Sequence, residues 1–77
     1  MDDDKSFNVK LGERVKKRRK ELGYTREKLA FKAKISDRFL YEIEVGNKGA
    51  SAETLWNLGK ALECSLDWLV GRSDSIN

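Results

Sequence analysis

The sequence predicts an all-α fold, a five-helix domain built around a helix-turn-helix, and three observations predict it. Apolar residues recur at helical spacing, as Leu29, Ala30 and Ala33 and again as Leu55, Leu58 and Leu62, and no alternating run of strand length occurs. A serine or threonine stands just before each of four such stretches, at Thr25, Ser36, Ser51 and Ser65, where its hydroxyl can accept a free N–H of the first turn. There is no proline, and the six glycines lie near segment ends or between apolar positions. A length of 77 residues allows one domain, near the lower limit for a self-sufficient core.

Taken in order, residues 1–8 read as a flexible acidic arm, because M-D-D-D-K has no apolar partner for a core. The domain proper is expected over 9–71. Residues 10–22 form the first helix, with Leu11, Val15 and Leu22 on one face and Gly23 after its end. Residues 25–33 form the second helix and 37–45 the third, whose stripe is Leu40, Ile43 and Glu44. Two helices of about two turns joined by a short break make a helix-turn-helix. G-N-K-G-A-S, residues 46–51, is a loop with Gly46 closing the third helix. The fourth helix runs from Ser51 to about Glu63. A last short helix, L-D-W-L-V-G, follows Ser65 and stops at Gly71, leaving 72–77 as a polar tail.

Charges sit where apolar side chains are expected. Arg18 and Arg19 fall on or beside the stripe of the first helix, and Glu44 lies on the stripe of the third. An unpaired buried charge is expensive, so Arg19 and Glu44 are expected to pair and hold the helices together. The bland alternative is that Arg19 snorkels to water and Glu44 is a helix-end carboxylate.

Charge distribution bears on partners. Residues 10–22 carry seven bases against two acids and residues 23–36 four against one, whereas 37–77 carry four bases against seven acids. A base-rich first half suits a polyanion, although a solvated helix face gives the same count. No run of about 18 apolar residues occurs, so no membrane span is expected. The acidic N-terminus lacks the apolar stretch of a signal peptide. The single Cys64 cannot form an internal disulfide and reads as a small buried hydrophobe. The expected compartment is the cytoplasm.

Catalytic readings find little. Histidine is absent, no metal-ligand cluster is visible, no serine or cysteine has a base at motif spacing, and no glycine-rich phosphate loop follows a strand. No enzyme, metal or other cofactor is implied.

With these elements in place, the chain resembles the helix-turn-helix domains of lambda-type phage repressors and Cro, the XRE family of bacterial transcription regulators. V-K-K-R-R-K-E-L-G-Y-T-R-E-K-L-A, I-S-D-R-F-L-Y-E-I-E-V-G, S-A-E-T-L-W-N-L-G-K-A-L and S-L-D-W-L carry the resemblance, in order and over residues 10–70. It implies five helices with the third in the DNA major groove, and an arginine–glutamate pair at the positions of Arg19 and Glu44. Three positions depart from the family pattern. Arg26 stands where glutamine is usual, and Lys34 and Glu63 stand where glycine is common. A left-handed backbone at Lys34 would cost roughly 1 kcal/mol. Either a phosphate contact offsets that cost or the turn is built differently.

Recognition needs phosphate contacts for position and base-edge contacts for sequence. Thr25 and Arg26, at the N-terminus of the second helix, are expected to clamp a phosphate. Ser36, Asn47 and Lys48 flank the third helix and complete the backbone contacts, with Tyr41 donating its hydroxyl to a phosphate. Asp37, Arg38 and Glu42 are expected to read bases, Arg38 on guanine and either acid on cytosine N4. Asp37 also suits simple helix-dipole stabilisation, and Glu42 a solvated surface. Phe39 either packs on the sugar-phosphate edge or covers the core. Lys16, Lys17 and Lys20 read as a solvated face that adds long-range steering.

Such proteins pair to match two-fold operators, and Trp68, Val70 and Ile76 are the expected homodimer surface, unless Trp68 caps the core. The leading reading is a dimeric repressor of double-stranded DNA. The alternatives are the antitoxin of a toxin–antitoxin pair, with its protein partner on the C-terminal surface, and an interaction module that has lost DNA binding.

Overall fold

The computed structural model describes the backbone of residues 3–77 and side chains from Phe7 onward. Five helices follow one another: α1 Asp3–Glu21, α2 Arg26–Ala33, α3 Asp37–Glu44, α4 Ala52–Leu62 and α5 Leu66–Leu69. α1 packs against α3, α4 and α5, and α2 is held between α3 and α4.

Both ends of the helices are set by local chemistry. Thr25, Ser36, Ser51 and Ser65 have extended backbones, and each side-chain oxygen accepts the N–H three residues on, at 3.0, 2.9, 3.1 and 3.0 Å. Every C-terminus is closed by a left-handed residue and a pair of reversed hydrogen bonds, as in Tyr24 N–H to Arg19 C=O and Gly23 N–H to Lys20 C=O, both 3.0 Å. Three of the left-handed residues are glycines, Gly23, Gly46 and Gly71. The other two are Lys34, with φ 62° and ψ 38°, and Glu63, with φ 55° and ψ 49°. The turn at Lys34 therefore keeps the left-handed geometry that glycine usually serves.

The core is Leu11 and Val15 of α1, Leu29, Ala30 and Ala33 of α2, Leu40 and Ile43 of α3, Leu58 and Leu62 of α4, and Trp68 and Leu69 of α5. Leu22, Ile35, Phe39, Leu55 and Cys64 are half-buried around it. Phe39 thus covers the core. Arg19 and Glu44, each 8% exposed, are the charged residues inside. Arg19 Nε donates to Glu44 Oε2 at 2.7 Å, a second guanidinium nitrogen donates to Oε1 at 3.2 Å, and a third reaches the Tyr24 carbonyl at 3.0 Å. This fork ties α1 to the end of α3 and also holds the chain as it leaves α1.

Two more arginines of α1 fasten the C-terminal helices. Arg18 Nε donates to the Leu62 carbonyl at 2.9 Å, meeting the negative end of α4. Arg14 donates to the Trp68 carbonyl at 2.8 Å while its guanidinium lies 5.1 Å from the Trp68 ring centre.

Both terminal segments carry structure beyond the sequence reading. α1 begins at Asp3, inside the segment expected to be an arm; residues 1–2 lie outside the described residues. No proline or glycine in the sequence stops a helix there. This part of α1 also packs: Asn8 and Val9 lie so close to the 46–49 loop that a Cβ at Gly46 would meet Val9 at 2.8 Å. The polar 72–77 tail returns to the domain. The Ile76 carbonyl accepts the Ser65 N–H at 2.8 Å and its side chain packs on the core. Among the described residues no helix is long and apolar enough to cross a membrane.

Candidate nucleic-acid interface

α3 is the most strongly two-faced helix near the surface. Leu40, Ile43 and Glu44 are turned inward, and Asp37, Arg38 and Tyr41 outward. Its first turn follows a sharp break, so its N-terminal side chains project beside those of α2. A surface concavity of about 620 Å³ opens there, lined by Arg26, Asp37, Arg38, Tyr41 and Glu42. Five residues expected at the interface, drawn from two helices, are therefore gathered in one place.

Charges within this face pair with one another. Arg26 Nε lies 3.6 Å from an Asp37 oxygen, and its guanidinium sits 5.1 Å from the Tyr41 ring centre. Arg38 Nε lies 3.6 Å from a Glu42 oxygen one turn on, with the Arg38 side chain 86% exposed. Glu42 also accepts from Asn47 Nδ2 at 3.0 Å, and its side chain is only 16% exposed. Of the two acids, Asp37 is the more open. Each pair has at least one partner well open to water and contributes little to stability.

The flanking positions surround this cleft. Thr25 and Ser36 are exposed caps whose oxygens each accept a backbone N–H, which leaves the hydroxyl protons free to donate outward. Asn47 and Lys48 follow α3 on an exposed loop, and both backbone N–H groups donate to the Glu42 carbonyl, at 2.9 and 3.3 Å.

The residues expected to pair two copies fare differently. Trp68 is 7% exposed and belongs to the core, held by Arg14, so it offers no free face. Val70 and Ile76 are partly covered. The exposed apolar groups nearby are Trp56, 58% exposed, and Leu66, 39% exposed, beside a concavity of about 440 Å³ that also touches Gly59, Lys60, Glu63 and Cys64. Sequence reasoning missed Trp56 because it falls between the stripe positions Leu55 and Leu58; a tryptophan off the buried stripe was the available signal. Phe31, 85% exposed on α2, was missed in the same way.

Five helices in this order, with a capped break between α2 and α3 and a polar face on α3, define a helix-turn-helix domain. A family model described as Helix-turn-helix matches residues 15–69, and the chain belongs to this family, in its XRE or lambda-repressor branch. It is 36% identical over 63 residues to the HTH-type transcriptional regulator DicA of Escherichia coli strain K12, which covers 82% of this chain and 47% of that one. The chain thus spans about half the length of the curated relative it matches. Among solved structures it is similar to the P22 c2 repressor in complex with a synthetic operator, with TM-score 0.78, 32% identity, and coverage of 82% of this chain and 96% of that one. It is also similar to the restriction-modification controller protein C.AhdI of Aeromonas hydrophila, with TM-score 0.79, 26% identity, and coverage of 83% and 97%.

Proposed function

We propose that this chain is a sequence-specific DNA-binding transcription regulator, acting as a dimeric repressor on a palindromic operator in the cytoplasm. The observation that carries the reading is the gathering of Arg26, Asp37, Arg38, Tyr41 and Glu42 in one exposed cleft across α2 and α3. The likeness to a repressor solved with its operator supports it. α3 enters the major groove, with Arg38 on a guanine edge and Asp37 and Glu42 steering the guanidinium groups and screening against non-cognate contacts. Thr25, Ser36, Asn47 and Lys48 hold the phosphates on either side.

The second copy docks on Trp56 and Leu66. This face carries both an exposed indole and a concavity beside Gly59, which suits the same patch meeting itself about a two-fold axis. Lys60 and Glu63 on its rim are opposite charges that can pair across that axis.

Selection of sites from random duplex DNA tests the reading. The expected product is a palindrome whose half-sites lie about 10 bp apart. A selection that returns no motif contradicts it. Sedimentation of the protein alone tests the dimer: a dimer that Trp56→Asp converts to monomer supports the proposed face. A monomer in both cases contradicts it and favours a different protein partner there, as an antitoxin would have.

A further inference from the structure

Its place at the N-terminus of α2 makes Arg26 an expected phosphate contact. The side chain of Arg26 is not arranged for that. It is turned across the gap toward α3, with its guanidinium over the Tyr41 ring at 5.1 Å and its Nε 3.6 Å from Asp37. Nε is shielded from water and has no hydrogen-bond partner, while the side chain as a whole is 40% exposed. The guanidinium is thus held by a ring face and a nearby carboxylate, and its exposed part borders the cleft shared with Arg38.

We infer that Arg26 is a base-reading residue, taking the O6 and N7 acceptors of a guanine, and that Tyr41 and Asp37 are its positioning residues. The inference rests on the proposed DNA-binding reading. Three points of chemistry carry it. Bidentate recognition needs a planar fork held in place, and the Tyr41 ring, 5.1 Å from the guanidinium, limits where it can lie. A carboxylate beside the guanidinium keeps it from collapsing onto the nearest phosphate, because the pair is already close to neutral. An arginine meant as a phosphate clamp gains nothing from an acid 3.6 Å away, since the acid repels the same phosphate. The cleft therefore presents two guanidinium groups, Arg26 beside Asp37 and Arg38 beside Glu42, and the partner chemistry that matches two such forks is a site with two guanines per half-site.

The test compares site selections by the full chain and by Arg26→Lys, Arg26→Ala, Tyr41→Ala and Asp37→Asn, with folding checked by circular dichroism. Arg26→Lys keeps the charge and the helix, so it separates the two roles without risking the fold. The expected result is a loss of guanine preference of about ten-fold or more at one position of each half-site with Arg26→Lys and Arg26→Ala. Tyr41→Ala and Asp37→Asn are expected to relax that same position more weakly, and Asp37→Asn to raise affinity for non-cognate DNA. If the unaltered chain selects a motif and Arg26→Lys selects it with the same preferences, the inference is overturned while the DNA-binding reading stands. If Asp37→Asn changes a different base position, Asp37 is a reader itself and its positioning role is overturned. If the unaltered chain selects no motif, both fall together.

Discussion

Arg19 and Glu44 face each other inside the domain as a forked pair, Nε to Oε2 at 2.7 Å, with each residue 8% exposed. The pair joins α1 to the last turn of α3 and so fixes the angle at which α3 is presented. Removing one partner leaves the other charged, buried and unmet. Glu44→Ala is expected to lose about 3–5 kcal/mol of stability in urea denaturation. Replacing both with apolar residues of similar size, Arg19→Met with Glu44→Leu, is expected to recover most of that loss. A double variant as unstable as the single one contradicts this account of the pair.

Gly12 governs the same contact by its lack of a side chain. A Cβ there would lie 2.6 Å from the Glu44 carbonyl oxygen and nearer still to that of Ile43, and both are backbone atoms that cannot step aside. Alanine would gain about 1 kcal/mol of helix propensity, and overpacking outweighs it. Gly12→Ala is expected to lower the midpoint of thermal unfolding by about 10 °C, for a net loss of about 2 kcal/mol. An unchanged or higher midpoint would mean that α1 can move away from α3 at little cost.

Lys34 and Glu63 run the other way. Both hold left-handed backbone without being glycine, at φ 62° and 55°. Lys34→Gly and Glu63→Gly are each expected to stabilise by about 0.5–1 kcal/mol, after allowing for the greater freedom of glycine in the unfolded chain. If Lys34 also meets a phosphate, its glycine variant gains stability and loses affinity together; Glu63→Gly serves as the comparison, because only its stability is expected to change.

Cys64 gives a pH-dependent signal. Burial raises the thiol pKa, and the nearby Arg18 charge opposes this less strongly. The folded state therefore prefers the neutral thiol. The unfolded chain releases its proton first as pH rises, so the contribution of this group is intact below the unfolded thiol pKa and declines from there toward the folded one. Iodoacetamide is expected to label Cys64 more slowly in the folded protein than in urea at mildly alkaline pH, with labelling rising at a higher pH in the folded case. Equal pH profiles would show that the thiol is free of its surroundings.

Much of this architecture was legible because single residues announce it. Four hydroxyl caps marked four helix starts, and Glu44 on one apolar stripe with Arg18 and Arg19 beside another suggested a pair, which the family resemblance placed at Arg19 and Glu44. The start of α1 was not legible. Its first residues are acidic, and the contacts of Asn8 and Val9 are with the 46–49 loop, which is distant in sequence. Trp68 was ambiguous for a similar reason: a short terminal helix says little about which side is covered, and the partner that buries it, Arg14, lies 54 residues away. The residues of the cleft were legible as polar and outward. Their pairing was not, since Arg26 reaches Asp37 and Tyr41 across the turn by a choice of rotamer that spacing does not encode.

The most direct measurement of the central claim is fluorescence anisotropy of a labelled duplex, comparing the selected site with a scrambled sequence over a range of salt. A sequence-specific regulator is expected to prefer the selected site by about a thousand-fold or more near physiological salt, with affinity falling steeply as salt rises. Equal binding to the two duplexes, or none to either, would contradict the claim that the cleft between α2 and α3 reads DNA.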